Sequence, residues 1–172
     1  MARVESGKYK TSAEEVDIVD IMNAVKATAD PLAIKKGISL WFEAMTGIPI
    51  VLTDWEAARK ILTNLVGNAL KFTDAGGSVT VSAKTDDSGT LTVEVSDTGC
   101  GIAQEDLALI FDRFGQALST HPEGEQGSGL GLSLSRQLAA MIGATLEVTS
   151  QPGEGSTFSL RFPVSANAPH KD

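Results

Sequence analysis

Three polar side chains share one face of a predicted helix in the segment ILTNLVGNALKFT (61–73). Asn64, Asn68 and Lys71 are spaced by four and three residues, which brings them together on a helix with about 3.6 residues per turn. Amide oxygens are neutral ligands for Mg²⁺, and a lysine can reach phosphate oxygens as a point charge. This face therefore predicts a site for a polyphosphate and its metal. A solvated helix surface is the alternative, although asparagine is a poor helix former and glutamate would suit such a surface better.

The turn after a predicted strand also has the residue types of a nucleotide site. Asp97, in SDTGCGI (96–102), has the same parity as the apolar residues of TLTVEVSD (90–97), so it continues the core-facing row. A carboxylate there is costly unless a group such as the adenine amino group donates to it. Gly99 and Gly101 let the chain pass close to a flat ring. An exposed Asx turn is the alternative. Aspartic-protease chemistry would need a second Asp-Thr-Gly, and the chain has one.

A third segment, QGSGLGLSL (126–134), contains three glycines at the start of a predicted helix. Successive glycines expose backbone N–H groups, and a helix N-terminus carries partial positive charge, so this loop favours phosphate. A flexible hinge is the alternative. No strand immediately precedes the glycines, which excludes a dinucleotide-binding fingerprint. A P-loop is excluded because Gly-Leu-Ser stands where it would have Gly-Lys-Ser or Gly-Lys-Thr.

The long segment between the two glycine-rich turns, residues 103–128, is polar and lacks regular periodicity. It is predicted to be an active-site lid, with disorder as the alternative. Phe111 and Phe114 are the aromatic residues that could hold the base of this segment. We expect no direct chemical role for His121 or Cys100.

Three predicted helices position these motifs. The first motif lies on a helix from about Trp55 to Phe72, which Asp54 could cap. Its buried stripe follows helical spacing and consists of Leu62, Leu65, Val66 and Ala69. A helix over 16–36, interrupted or kinked near Pro31, precedes it. The third helix runs from about Leu130 to Ile142, and its predicted apolar face consists of Leu130, Leu134, Leu138 and Met141.

The remaining elements are short strands with alternating apolar residues. Their predicted ranges are 38–42, 50–53, 77–85, 90–97, 145–150 and 156–162. Turn residues join the last four strands in two pairs, which predicts antiparallel neighbours. The fold class is therefore α+β: a two-layer sandwich with a mostly antiparallel sheet covered on one face by helices.

Composition limits what such a chain can do. A length of 172 residues fits one domain, and a single cysteine excludes an internal disulfide framework. Two histidines and one cysteine cannot form a closed zinc site without carboxylates. The net charge of −8 argues against binding nucleic acid, and it makes a polyphosphate ligand unfavourable unless a divalent cation and local donors neutralise its charge.

The motifs together resemble those of sensor histidine kinases. NLVGNALKFT resembles the N box of that family, DTGCGI the G1 box, IFDRF the F box and GSGLGL the G2 box. The match covers residues 14–164 and implies the Bergerat fold, a mixed sheet under helices with an ATP lid, which Hsp90-type chaperones, type II topoisomerases and MutL-type repair proteins share. It implies that 1–13 is the end of a dimerisation helix with a linker, that 14–164 is the ATP-binding catalytic domain, and that 165–172 is a disordered tail.

The resemblance also assigns roles by motif position, with ATP and Mg²⁺ as cofactors. Asn68 would be the metal ligand, and Asn64 and Lys71 would lie at the phosphates, so these three form the expected catalytic group. Asp97 would accept from the adenine amino group. The other residues expected to bind ATP are Phe72, Gly99, Gly101, Ile102, Gly127, Gly129, Leu130, Gly131, Leu132 and Thr157; Thr157 would reach adenine through water.

One position separates the subfamilies. ATP-hydrolysing relatives carry a glutamate four residues before the metal-binding asparagine, and here that residue is Asn64, which is not a base. The resemblance therefore implies a protein-histidine kinase that hydrolyses ATP slowly and delivers its γ-phosphoryl group to a histidine. No histidine of this chain has the phosphoacceptor setting, so the acceptor would belong to a dimerisation domain of a longer parent kinase, which in turn serves a response regulator. The expected location is the cytoplasm, with the parent possibly anchored in a membrane, and the fragment itself would be monomeric.

Two other functions are compatible with the same pocket. The first is a regulatory module that binds a nucleotide or second messenger and transfers nothing. The second is a protein-serine kinase of the anti-sigma type, which shares the fold but usually has a carboxylate base where this chain has Asn64.

Overall fold

The computed structural model describes residues 10–113 and 130–163, in which three helices cover one face of a five-stranded sheet. The helices are α1 (Ile18–Lys36), α2 (Trp55–Phe72) and α3 (Gly131–Met141). The strands are β1 (Glu14–Val16), β2 (Ser39–Ala44), β3 (Val51–Thr53), β4 (Ser78–Thr85), β5 (Leu91–Asp97), β6 (Thr145–Gln151) and β7 (Gly155–Phe162). This architecture confirms the predicted α+β sandwich.

The sheet has the strand order β2-β4-β5-β7-β6. Only the β2–β4 pair is parallel, and the other three neighbours are antiparallel. Along β4, Val79, Val81 and Ala83 are buried, while the residues between them point to the face that the helices do not cover. The period of two that predicted the strands therefore also sets which face packs on the helices.

Helix α2 has the bounds that its sequence predicts. Asp54 is the N-cap, and its carboxylate accepts from the Ala57 N–H at 2.8 Å. At the other end, Lys36 from α1 donates to the carbonyls of Leu70 and Lys71 at 2.7 and 3.1 Å. A helix C-terminus leaves carbonyls without intrahelical partners, so this lysine satisfies two of them. The predicted stripe is confirmed, because all four of its residues are buried.

The N-terminal region differs from the prediction in two ways. Helix α1 begins at Ile18 after an Asp17 cap, and Glu14–Val16 form a strand that pairs with β3. A break near Pro31, one of the two predicted alternatives, is absent, because α1 is continuous through this residue. Pro31 lies on the exposed side, while Ala29 and Ala33 on either side of it are buried against the core. Their packing holds the helix in place although proline lacks an N–H donor.

The predicted apolar face of α3 is also wrong in part. Met141 is 40% exposed, whereas Ser135 is 2% exposed. Helix α3 packs against both α2 and β6, so its buried face is centred on Ser135, Leu138 and Ala139. A buried serine is stable there because α2 offers it a hydrogen-bond partner, as described below.

Burial in the core predicts that substitutions of two isoleucines in the helices will affect stability differently. Ile61 of α2 is fully buried and Ile34 of α1 is 79% exposed. We expect Ile61→Ala to lower the free energy of unfolding by about 2–5 kcal/mol, because it leaves a cavity. The matched variant Ile34→Ala should change it by less than about 0.5 kcal/mol. Urea unfolding followed by circular dichroism measures both, and equal losses would contradict the assignment of the core.

Candidate functional site

The polar face of α2 borders a surface depression of about 360 Å³. Asn64 and Asn68 line it, together with Thr63, Gly67 and the cationic side chains of Arg59 and Lys60. Amide and cationic side chains therefore border the same space. This combination suits a magnesium ion with a polyphosphate, as the sequence predicts.

Asn64 connects α2 to the start of α3. Its side-chain N–H donates to Ser135 Oγ at 2.9 Å. A methyl group built on Gly131 would lie 2.5 Å from Asn64 Oδ1, so the glycine allows the two helices to approach. The N-terminus of α3, which includes Leu130 and Leu132, thus lies beside the amide face of α2. Leu130 has no side-chain oxygen with which to cap the helix, and a helix N-terminus of this kind attracts anions.

Asp97 ends β5 on the face that the helices cover. It is half-buried, and its Oδ1 accepts from the Gly99 N–H at 2.8 Å, which forms an Asx turn. Burial raises the pKa of Asp97 above its usual value, while the backbone N–H groups of Gly99 and Ser156 oppose that shift. Desolvation therefore destabilises the ionised carboxylate at this position, and a ligand that donates a hydrogen bond to it would offset this effect.

Backbone contacts hold residues 97–102, here called the Asp97 turn, on two sides. On one side, a methyl group on Gly99 would overlap the Phe72 carbonyl, and the Cys100 N–H approaches the same oxygen at 3.4 Å. On the other side, a methyl group on Gly101 would overlap the backbone of Gln151, and Gly153 donates to the Cys100 carbonyl at 2.7 Å. The turn thus joins the end of α2 to the β6–β7 turn.

Side chains around the Asp97 turn complete this end of the site. The Ile102 N–H donates to Ser150 Oγ at 2.7 Å, which fixes the backbone of the partly buried Ile102. Phe72 is half-buried, and Lys71 Nζ lies 5.2 Å from the centre of its ring. Phe111 packs edge-on against Phe158 at 6.4 Å between ring centres. The prediction that Phe111 holds the base of the long segment agrees with this contact; Phe114 lies outside the described residues.

The structure does not place the Thr157 side chain beside Asp97. It lies on the uncovered face of the sheet, where its hydroxyl is 2.6 Å from Ser96 Oγ. Its neighbour Ser156 pairs directly with Asp97 and shares the covered face with it. Ser156 was not among the predicted site residues, although it has the same parity as the apolar Phe158 in the alternating strand.

Some of the other predicted residues lie together in the structure, and others lie outside its described part. The structure brings Asn64, Asn68, Gly131 and the Asp97 turn to one side of the sheet. Gly127 and Gly129, and with them most of the predicted lid, lie outside the described residues.

Cys100 is half-buried in the Asp97 turn. Burial raises the pKa of its thiol, and the nearby carboxylates of Asp97 and Asp74 raise it further. The thiol is therefore protonated at neutral pH, which makes it a poor nucleophile.

Residues 53–166 match the family model for histidine kinase-, DNA gyrase B- and HSP90-like ATPases. The chain belongs to this family. The match includes α2, the Asp97 turn and α3, which are the elements that form the site described above. The predicted ATP-binding catalytic domain is thereby confirmed.

Individual relatives indicate the histidine kinase branch. The chain is 38% identical over 171 residues to the non-motile and phage-resistance protein of Caulobacter vibrioides, covering 95% of this chain and 20% of that protein. It is 35% identical over 167 residues to an uncharacterized sensor-like histidine kinase of Rhizobium meliloti, covering 97% of this chain and 32% of that protein. The chain thus spans about a fifth to a third of these relatives.

A solved structure has the same fold. Full-length ShkA in complex with AMPPNP superposes with a TM-score of 0.81 and 34% sequence identity. The superposition covers 94% of this chain and 33% of that one. The fold of the present chain is therefore one that carries an ATP analogue in a relative.

Within 10–113 and 130–163, no helix is long and apolar enough to cross a membrane. In the same ranges, no three His, Cys, Asp or Glu side chains are grouped to hold a metal ion.

The close approach at the Asp97 turn predicts a difference between two glycines. Gly101 and Gly153 have φ values of 70° and 80°, but only Gly101 has backbone atoms where a side chain would go. We expect Gly153→Ala to lower the free energy of unfolding by about 1–2 kcal/mol through backbone strain. Gly101→Ala should cost at least about 1 kcal/mol more because of the overlap. Equal losses in urea unfolding would argue against the close contact.

The raised pKa of Asp97 predicts a pH-dependent effect of Asp97→Asn. Between the unfolded-state pKa, near 3.8, and the higher folded-state pKa, the folded protein keeps a proton that the unfolded chain loses. Wild-type stability therefore falls as pH rises through this window, and the asparagine variant escapes that loss. We expect the stability of Asp97→Asn relative to wild type to increase from about pH 3 to about pH 7.

Thermal unfolding across this pH range measures the effect. Asp87→Asn is the matched control, because Asp87 lies exposed in the β4–β5 turn and loses the same charge. A relative stability of Asp97→Asn that stays flat or decreases with pH would contradict the burial of this carboxylate.

Proposed function

We propose that the chain binds Mg-ATP and delivers the γ-phosphoryl group to a histidine on a separate helical domain of a longer sensor histidine kinase. The observation that carries this proposal is the placement of the half-buried Asp97 carboxylate and the Asn64/Asn68 face on the same side of the sheet, joined through Phe72. One end offers an acceptor for a base, and the other offers ligands for a metal and phosphates.

At the base end, Asp97 accepts a hydrogen bond from the adenine amino group. This ligand restores part of the solvation that burial removes from the carboxylate. Gly99 and Gly101 keep the turn flat enough for the ring to lie against it, and Ile102 and Phe72 provide apolar contact. The half-buried position of Asp97 supports this role.

At the phosphate end, Asn68 is the proposed Mg²⁺ ligand and Lys71 the proposed phosphate contact. The N-terminus of α3, from Leu130 to Leu132, adds backbone N–H groups, and Gly127 and Gly129 extend this loop by motif position. When bound, Mg²⁺ neutralises charge on the phosphates. Phosphoryl transfer requires mainly positioning and charge neutralisation, which these groups supply.

Asn64 explains why the γ-phosphoryl group is kept for a protein acceptor. An amide is not a base at neutral pH, so it cannot activate a water molecule as a glutamate would. Its N–H is already directed to Ser135 Oγ at 2.9 Å, and its oxygen lies against Gly131. Hydrolysis is therefore slow, and Asn64 instead fixes α3 at the phosphate end.

The acceptor is a histidine of the parent kinase's helical dimerisation domain, and a response regulator receives the group afterwards. The length of the relatives, of which this chain spans a fifth to a third, supports a multidomain parent. The reaction belongs in the cytoplasm, where ATP is available, whether or not the parent is anchored in a membrane. The chain by itself is proposed to be monomeric and, at a net charge of −8, not to bind nucleic acid.

Calorimetric titration with ATP and Mg²⁺ tests the binding step. Asp97→Asn should weaken ATP binding about 10- to 100-fold, because a hydrogen bond to a charged acceptor contributes about 1.5–3 kcal/mol. Asn68→Ala should reduce the dependence of binding on Mg²⁺. Asn23→Ala is the matched control, since Asn23 is exposed on α1 and does not line the depression at α2. An ATP affinity and Mg²⁺ dependence that are unchanged in both site variants would overturn the proposal.

Incubation with labelled ATP, Mg²⁺ and the parent's histidine-containing domain tests the transfer step. The expected product is acid-labile and alkali-stable phosphohistidine, which Asn68→Ala should greatly reduce and Asn23→Ala should not. Acid-stable phosphoserine would indicate a serine kinase instead. Tight ATP binding with no transfer to the intact parent's domain would indicate a regulatory nucleotide-binding module.

A further inference from the structure

Four side chains form a row across the sheet at the base end of the proposed site. Val79, Asp97, Ser156 and Ser150 are direct partners on β4, β5, β7 and β6. Partners in antiparallel strands point to the same face, which here is the face covered by the helices. Ser156 is therefore the neighbour of Asp97, and Ser150 is the neighbour of Ser156 on the far side.

The hydrogen bonds of Ser150 use its whole hydroxyl group. A serine hydroxyl has one proton and two acceptor lone pairs. Ser150 Oγ donates its proton to the Gly155 carbonyl at 2.8 Å and accepts from the Ile102 N–H at 2.7 Å. One lone pair is left, and Ser156 Oγ lies 2.8 Å away. The proton in that contact must therefore come from Ser156.

This arrangement fixes the polarity of Ser156. Its only proton points to Ser150, so the side toward Asp97 presents lone pairs alone. Asp97 is also an acceptor when ionised. The two neighbours thus offer acceptors, and no side-chain donor, to whatever group lies against them.

We infer that Ser150 is a positioning residue that sets the base selectivity of the site by holding Ser156 as an acceptor. The inference rests on the proposed function, in which a purine lies at Asp97. Adenine carries an amino group with two donors at its 6-position, so Asp97 and Ser156 can both accept from it, directly or through one water. Guanine carries a carbonyl there and would place a third acceptor against the other two, which is unfavourable.

Ser150 acts without touching the ligand. It is 7% exposed and separated from Asp97 by Ser156. In Ser150→Ala the Ser156 hydroxyl loses its acceptor and becomes free to rotate and donate toward the site. A guanine carbonyl could then accept from it, while adenine would lose one acceptor. The substitution also releases the Ile102 N–H, which should weaken all nucleotides equally, so the informative quantity is the ratio of affinities.

Equilibrium titrations with Mg-ATP and Mg-GTP test the inference on wild type, Ser150→Ala, Ser156→Ala and the double variant. Each single substitution should lower the ATP-to-GTP affinity ratio about 3- to 10-fold, the effect of one hydrogen bond. In the Ser156→Ala background, Ser150→Ala should not change the ratio further, because no hydroxyl remains to be oriented. Ser159→Ala is the matched control, because Ser159 pairs with Glu94 on the opposite face of β7, and it should leave the ratio unchanged.

The outcomes separate this inference from the proposed function. If wild type fails to bind Mg-ATP, or binds it without dependence on Asp97, the proposed function is wrong. If wild type binds Mg-ATP through Asp97 but the ratio is the same in Ser150→Ala and Ser156→Ala, only the inference is wrong. A further loss in the double variant would show that Ser150 acts by another route. Should Ser150→Ala fail to fold, Ser156→Ala decides the question: an unchanged ratio would overturn the inference.

Discussion

The close packing of the Asp97 turn against two pieces of backbone is the constraint on which the rest of the site depends. Gly99 lies against the carbonyl that ends α2, and Gly101 lies against the β6–β7 turn. Neither contact has room for a side chain. Because the turn is fixed on both sides, the carboxylate at its start and the amide face of α2 keep a constant relation to each other. A site that spans a base and its phosphates requires such a relation.

The position of Asp97 in this turn lowers the stability of the folded chain while it places an acceptor at the proposed site. The Asp97 carboxylate is half-buried, and burial raises its pKa, which means that the ionised form is destabilised in the folded chain. Backbone N–H groups from Gly99 and Ser156 offset part of this cost. The remainder is available to be offset by a ligand that donates. A partly buried carboxylate is locally unfavourable, and proteins are expected to retain such groups mainly at functional sites.

Local signals were sufficient for α2 and for most strands. The Asp54 cap, the regular apolar stripe and the alternation along β4 each depend on residues within a few positions of one another, so the sequence predicts them closely. The strand at Glu14–Val16 was missed because its pairing partner, β3, lies some 35 residues later. Likewise, Ser135 is buried because α3 packs against α2, where Asn64 donates to it.

The sequence by itself determined which chemical groups this protein has and on which elements they lie, because residue type and short-range periodicity are local properties. The tertiary structure decided which of those groups meet. Motif position suggested Thr157, whereas strand register places Ser156 beside Asp97 and turns Thr157 to the other face. Register depends on pairing between strands that are far apart in the chain, and a shift of one residue exchanges the faces. The direction of the Ser156 hydroxyl follows from the same register, because only the folded sheet places Ser150 beside it.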